Sequence, residues 1–81
     1  MQRFAIIVRA TWDEDAKVWV AQSSDIDGLA TEADTLEALK TKVLEMISEL
    51  MELNGTASQL SEIPVHFMAE QTARVANPRL S

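Results

Sequence analysis

The 81-residue chain has no cysteine, so neither a disulfide nor a thiolate metal site can hold it together. Basic residues are scarce, 7 Lys and Arg against 13 Asp and Glu, for a net charge of −6. That balance argues against nucleic-acid binding, because phosphate contacts need a basic face. It suits a basic protein partner. Long apolar runs are missing as well. The segment Phe4-Ala5-Ile6-Ile7-Val8 reaches five residues before Arg9, too short for a signal-peptide core or a membrane span. The expected location is cytoplasmic. There is no internal repeat and no low-complexity stretch. What the chain does have is 47% hydrophobic residues, enough for one modest core. A chain this short buries only about 60–65% of its unfolded surface, so packing, helped by oligomerisation, must supply the stability.

Periodicity places the elements. Residues 3–12 alternate as a strand, with Phe4, Ile6, Val8, Ala10 and Trp12 on one face and Ala5, Ile7, Arg9 and Thr11 on the other. Asp13-Glu14-Asp15-Ala16 reads as a hairpin loop, and residues 17–22 as the returning strand. A five-residue loop sets Val18 opposite Trp12 and Val20 opposite Ala10. That register makes one face wholly apolar and sends Trp19 to the other. Ser23-Ser24-Asp25-Ile26-Asp27-Gly28 is a turn cluster, in which Gly28 can adopt positive φ. Residues 29–32 read as a short third strand.

The helix carries the clearest pattern. Asp34 is the expected N-cap, with Glu37 three residues on in a capping-box position. Leu36, Leu39, Val43, Met46, Leu50 and Leu53 form the apolar stripe, and Asn54-Gly55 is the expected stop. Leu44, Ile47 and Met51 widen the stripe to about half the circumference at 100° per residue, more than one sheet face requires. Residues 63–69 form a fourth strand, with Pro64 near its start and Arg74-Val75 as its outer limit. The class is therefore α+β, in the order β-β-β-α-β, with a mixed four-stranded sheet and one helix on one face. Right-handed crossover and sequential pairing favour the sheet order 3-2-1-4. The expected domain is 1–76, followed by a tail at 77–81. The expected core is Phe4, Ile6, Val8, Trp12, Val18, Val20, Leu36, Leu39, Val43, Leu50 and Phe67.

The stretch from Trp12 to Leu39 resembles the HicB-like antitoxin superfamily, and more closely the short family labelled DUF1902. The residues that carry the likeness are the acidic loop Asp13-Glu14-Asp15, Trp19 on the second strand, the turn Asp25-Ile26-Asp27-Gly28, and the helix start Asp34-Thr35-Leu36-Glu37-Ala38-Leu39. Leu50-Met51-Glu52-Leu53-Asn54 fits the short family's helix end. The resemblance implies the partial ribonuclease-H-like fold of HicB N-terminal domains. It also implies binding and neutralisation of a small, basic HicA-type toxin, an mRNA-cleaving ribonuclease. The alternative is a stand-alone oligomeric domain that binds a small ligand, or an orphan domain without a toxin partner.

No catalytic constellation is apparent in the sequence. A two-metal nuclease needs converging carboxylates, and the first strand offers none before Asp13, the fourth only Glu70. His66, the single histidine, has no nucleophile paired with it in sequence and reads as a surface residue. The acidic loop lacks the glycine and distant glutamate of an EF-hand. The expectation is a non-enzymatic protein without cofactor or metal. Candidate partner-binding residues are Asp13, Glu14, Asp15, Trp19, Asp25, Asp27, Glu45, Glu49 and Glu52. They combine acidic charge, which steers a basic partner, with a tryptophan anchor. Each has a plainer reading as loop, turn, partial burial or solvated helix face. Candidate homodimer contacts are Ile7, Trp19, Leu44, Ile47 and Met51, from the surplus apolar arc and the second sheet face.

Overall fold

A computed structural model describes residues 5–53 and 62–80. Five elements follow one another: β1 (Ile6–Asp13), β2 (Val18–Gln22), β3 (Ala30–Ala33), α1 (Leu36–Leu53) and β4 (Val65–Glu70). The sheet order is β3-β2-β1-β4. β1 is antiparallel to β2 and parallel to β4, and β2 is antiparallel to β3. The α+β class, the element order and the mixed sheet are those the sequence predicts. Phe4 and the Asn54-Gly55 helix stop lie outside the described residues.

The β1–β2 register differs from the expected one. Trp12 pairs with Trp19, Asp13 with Val18 and Ala10 with Ala21, so the connection is the four residues Glu14 to Lys17. The loop is closed locally. The Asp13 carbonyl accepts from Lys17 N at 2.7 Å, while Asp13 Oδ1 accepts from the amides of Asp15 and Ala16 at 3.0 and 3.1 Å. These bonds hold Lys17 at a φ of 59°, a left-handed conformation that costs a non-glycine residue about 1–2 kcal/mol. Shortening the loop by one residue turns every β2 side chain to the other face. Trp19 and Ala21 therefore face the helix, and Val18 and Val20 lie half-buried on the open face.

The buried core is Ile6, Val8, Ala10, Ala21, Ile26, Leu29, Ala33, Leu39, Val43 and Ile47. Leu36, Leu50 and Phe67 pack against it half-buried, as does Trp19. Trp12 is half-buried at the hairpin end, with its ring centroid 5.4 Å from that of Trp19 and the planes tilted by 59°. Tilted aromatic pairs of this kind contribute about 0.5–1.5 kcal/mol beyond area burial. Val18 and Val20 leave the expected core, and three alanines enter it.

The helix begins one residue later than its expected cap. Thr35 Oγ1 accepts from Ala38 N at 3.1 Å, and the Thr35 carbonyl accepts from Leu39 N at 2.9 Å. Thr35 is thus the N-cap, and position N3 is Ala38, so the Asp34–Glu37 capping box does not form. Lys42 Nζ donates to the Glu32 carbonyl at 2.8 Å, fastening that flank of α1 over β3. The helix lies mainly against β3 and β2. β4 stops at Glu70 and does not continue to Val75; residues 71–80 are exposed and without strand structure.

Candidate partner-binding surfaces

Topology separates the acidic candidates into two groups. β1 leads from the end of the sheet that holds the 23–28 turn to the end that holds the hairpin loop, and β2 returns. Eight residues at about 3.3 Å each put these ends roughly 26 Å apart. Asp13, Glu14 and Asp15 therefore stand at one end of the sheet, and Asp25 and Asp27 at the other.

At the hairpin end most carboxylates already have partners. Asp13 closes the loop as described. Glu14 accepts from Lys17 Nζ at 2.9 Å and from the Trp12 indole N–H. The Lys17 hydrogen bond, then the Trp12 hydrogen bond, then the Lys17 charge hold the Glu14 carboxyl below its ordinary value. A cleft of about 460 Å³ lies beside this loop, lined by Thr11, Trp12, Glu14 and residues 70–74.

At the turn end, Asp25 has a structural task that sequence reading missed. Ile6 N donates toward β4, to the Pro64 carbonyl at 3.0 Å, so the next amide, Ile7 N, points toward β2. β2 has ended by then, its last residue pairing with Arg9. Asp25 Oδ2 accepts from Ile7 N at 2.8 Å instead, replacing the missing strand. Ile26 and Leu29 anchor the turn in the core. Gly28 sits at φ +88°, and a Cβ there would lie 3.4 Å from Leu50 Cδ2. Gly28 thus lies close to Leu50 in the last turns of α1.

Glu45, Glu49 and Glu52 are all exposed. At about 100° per residue, Glu45 and Glu52 lie about 160–180° from the direction set by Leu39, Val43 and Ile47, and Glu49 about 120° from it, on the flank of Lys42. The last turn of α1 holds no basic residue. Neither these glutamates nor Asp27 has a hydrogen bond or ion pair among the described residues. The structure thus brings Asp27 and the C-terminal half of α1 to one end and leaves the hairpin loop at the other.

Trp19 belongs to neither group, since it packs against the core. Of the dimer candidates, Ile47 is a core residue at 5% exposed, Met51 is half-buried, and Ile7 and Leu44 remain exposed at 43% and 45%. His66 is exposed on the open face beside Ile7. Among the described residues no group of three or more His, Cys, Asp or Glu is placed to hold a metal ion. No described helix is long and apolar enough to cross a membrane.

Comparison with known proteins agrees with this architecture. The hypothetical protein TTHA1013 from the extremely thermophilic bacterium Thermus thermophilus, known from a crystal structure, is 46% identical. The match covers 90% of this chain and 99% of that one, with a TM-score of 0.67. No curated protein matches. Residues 5–77 match the family described as Domain of unknown function (DUF1902), and the chain belongs to that family.

Proposed function

We propose that the chain is a non-catalytic protein-binding module, a HicB-like antitoxin or a derivative of one, that covers the RNA-binding and catalytic surface of a small basic HicA-type ribonuclease. The observation that carries this reading is the acidic end of the molecule, where Asp27, Glu45, Glu49 and Glu52 have no hydrogen bond or ion pair among the described residues. Glu45, Glu49 and Glu52 crowd the C-terminal half of α1, whose last turn has no base. Carboxylates there oppose the helix dipole by a few tenths of a kcal/mol each. A basic partner would convert that cost into attraction. The 25–28 turn, held against Leu50, extends the same surface through Asp27. The hairpin loop contributes less, because Asp13 and Glu14 are already engaged.

The test is capture kinetics with the product of a neighbouring reading frame, a basic chain of the HicA type. Replacing Glu45, Glu49 and Glu52 with Lys should slow association about tenfold or more and flatten its dependence on salt, with far-UV circular dichroism unchanged. Trp19→Ala, by contrast, should lower stability, because that ring packs on the core. Unchanged association by the triple variant would refute the assigned surface.

A further inference from the structure

Two features of the molecule are unfinished in one copy, and they match each other. The first is the segment after β4. Residues 71–80 are exposed throughout, with Val75 at 92% and Leu80 at 83%. The segment is nonetheless shaped: Asn77 Oδ1 accepts from Arg79 N at 2.9 Å, and the Asn77 carbonyl accepts from Leu80 N at 3.1 Å. The molecule is elongated, 58 Å in one direction against 30 and 19 Å in the others. The radius of gyration is 16.2 Å, where a compact chain of this length has about 12 Å.

The second feature is the β4 edge of the helix-side sheet face, which the described residues cover only in part. A helix is about 10–12 Å wide with its side chains, whereas four strands at 4.7–4.9 Å spacing need about 14 Å or more of cover. Lys42 ties one flank of α1 over β3. Leu44 and Met51 lie about 180–200° around the helix from Lys42, on the flank toward β1 and β4. Beyond them, Val65 and Phe67 on β4 are only half-buried and Ala69 is exposed. Among the described residues the result is an apolar strip flanked by the helix and carrying no charge of its own.

We propose that the segment 71–80 is an exchanged arm, and that the occupant of this strip is the arm of a second copy of the same chain in a C2 dimer. Charge supports the choice of occupant. The arm holds two of the seven basic residues, Arg74 and Arg79, and none of the thirteen acidic ones. The remaining chain carries five bases against thirteen acids, −8, which attracts a +2 arm. Arg74 stands beside Glu14 of its own copy at the hairpin cleft, and Arg79 farther along carries the second charge. Val75 and Leu80 would supply apolar contacts to Leu44, which is exposed, and to the sides of Met51 and Phe67 that the core leaves open. Reciprocal exchange of one element is a low-cost route to a closed dimer. It leaves Glu45, Glu49 and Glu52 available to a basic partner, and it stands whether or not such a partner exists.

Sedimentation equilibrium of the full chain at about 10–100 µM should give about 18 kDa, twice the 9.0 kDa of one chain. Truncation after Glu70 should give monomer with unchanged circular dichroism. Val75→Asp and Leu44→Lys should each weaken the dimer by about tenfold or more. Met68→Lys, on the opposite face, should leave it intact. The chain has no cysteine, so a Leu44→Cys, Val75→Cys variant should form a disulfide-linked dimer on mild oxidation that neither single variant matches. A 9.0 kDa species at the highest concentration would overturn the proposal. So would a dimer that survives truncation, or one that Met68→Lys dissociates and Leu44→Lys does not.

Discussion

The β1–β2 register can be tested by placing one lysine at either of two adjacent residues. Ala21 is fully buried opposite Ala10, beneath the helix. Val20, its neighbour, is half-buried on the open face, opposite Thr11 on β1 and Glu32 on β3. A lysine at position 21 must be buried. Full burial lowers a lysine pKa by about 3–5 units. Because the group deprotonates once its pKa falls below the ambient pH, the cost at neutral pH is about 4–5 kcal/mol. At about 0.05–0.15 kcal/mol per residue, a chain of this length has only about 4–12 kcal/mol of stability. Ala21→Lys should therefore lower the urea midpoint by about 4 M or more, at a slope of about 1 kcal/mol/M, and abolish the transition where stability lies at the low end of that range. A lysine at position 20 stays at the surface across from a glutamate. The lost β-propensity and the gained cross-strand pair each amount to about 1 kcal/mol or less. With a urea slope of about 1 kcal/mol/M, the midpoint of Val20→Lys should move by no more than about 1 M. The opposite pattern, with Val20→Lys unfolded and Ala21→Lys tolerated, would restore the five-residue loop and refute the four-residue one.

Other consequences are equally local. Thr35→Ala should cost about 1 kcal/mol through loss of the N-cap, and Asp34→Ala clearly less; paired urea melts compare the two. Asp25→Ala should raise the exchange rate of the Ile7 amide and lower stability by about 1 kcal/mol, read by native-state hydrogen exchange. The Glu14 carboxyl should titrate below an unperturbed glutamate in an NMR pH series, and Lys17→Ala should raise it. Because its folded pKa is depressed, the contribution of Glu14 to stability is present above the unfolded value. It disappears as the pH falls through the folded one.

Much of the architecture was legible in the sequence because each element is written in its own period. The 3–4 spacing from Leu36 to Leu50 and the alternation in β1 fix the helix and the first strand, and short connections then leave few topologies. The register of β2 was not legible, because Val18-Trp19-Val20-Ala21 is apolar on both faces. Pattern alone cannot orient such a strand, and the Asp13 side chain, by closing a four-residue loop, decides it. The same short side-chain reach moved the cap from Asp34 to Thr35. Burial of Ala10, Ala21 and Ala33 was hidden because alanine carries little hydropathy signal, although a helix close to a sheet needs small residues beneath it. Of the acidic candidates, the sequence located the charges but not their partners. Asp13, Glu14 and Asp25 have hydrogen-bond partners in the hairpin and the turn, whereas Asp27, Glu45, Glu49 and Glu52 have none among the described residues.

The proposed function is tested most directly by titrating a HicA-type ribonuclease, taken from the neighbouring reading frame, with this chain and following cleavage of an RNA substrate. Cleavage should cease near one binding site per toxin, and return when Glu45, Glu49 and Glu52 are replaced by Lys at the same concentration. Full cleavage in the presence of excess wild-type chain, folded by circular dichroism, would contradict the antitoxin reading.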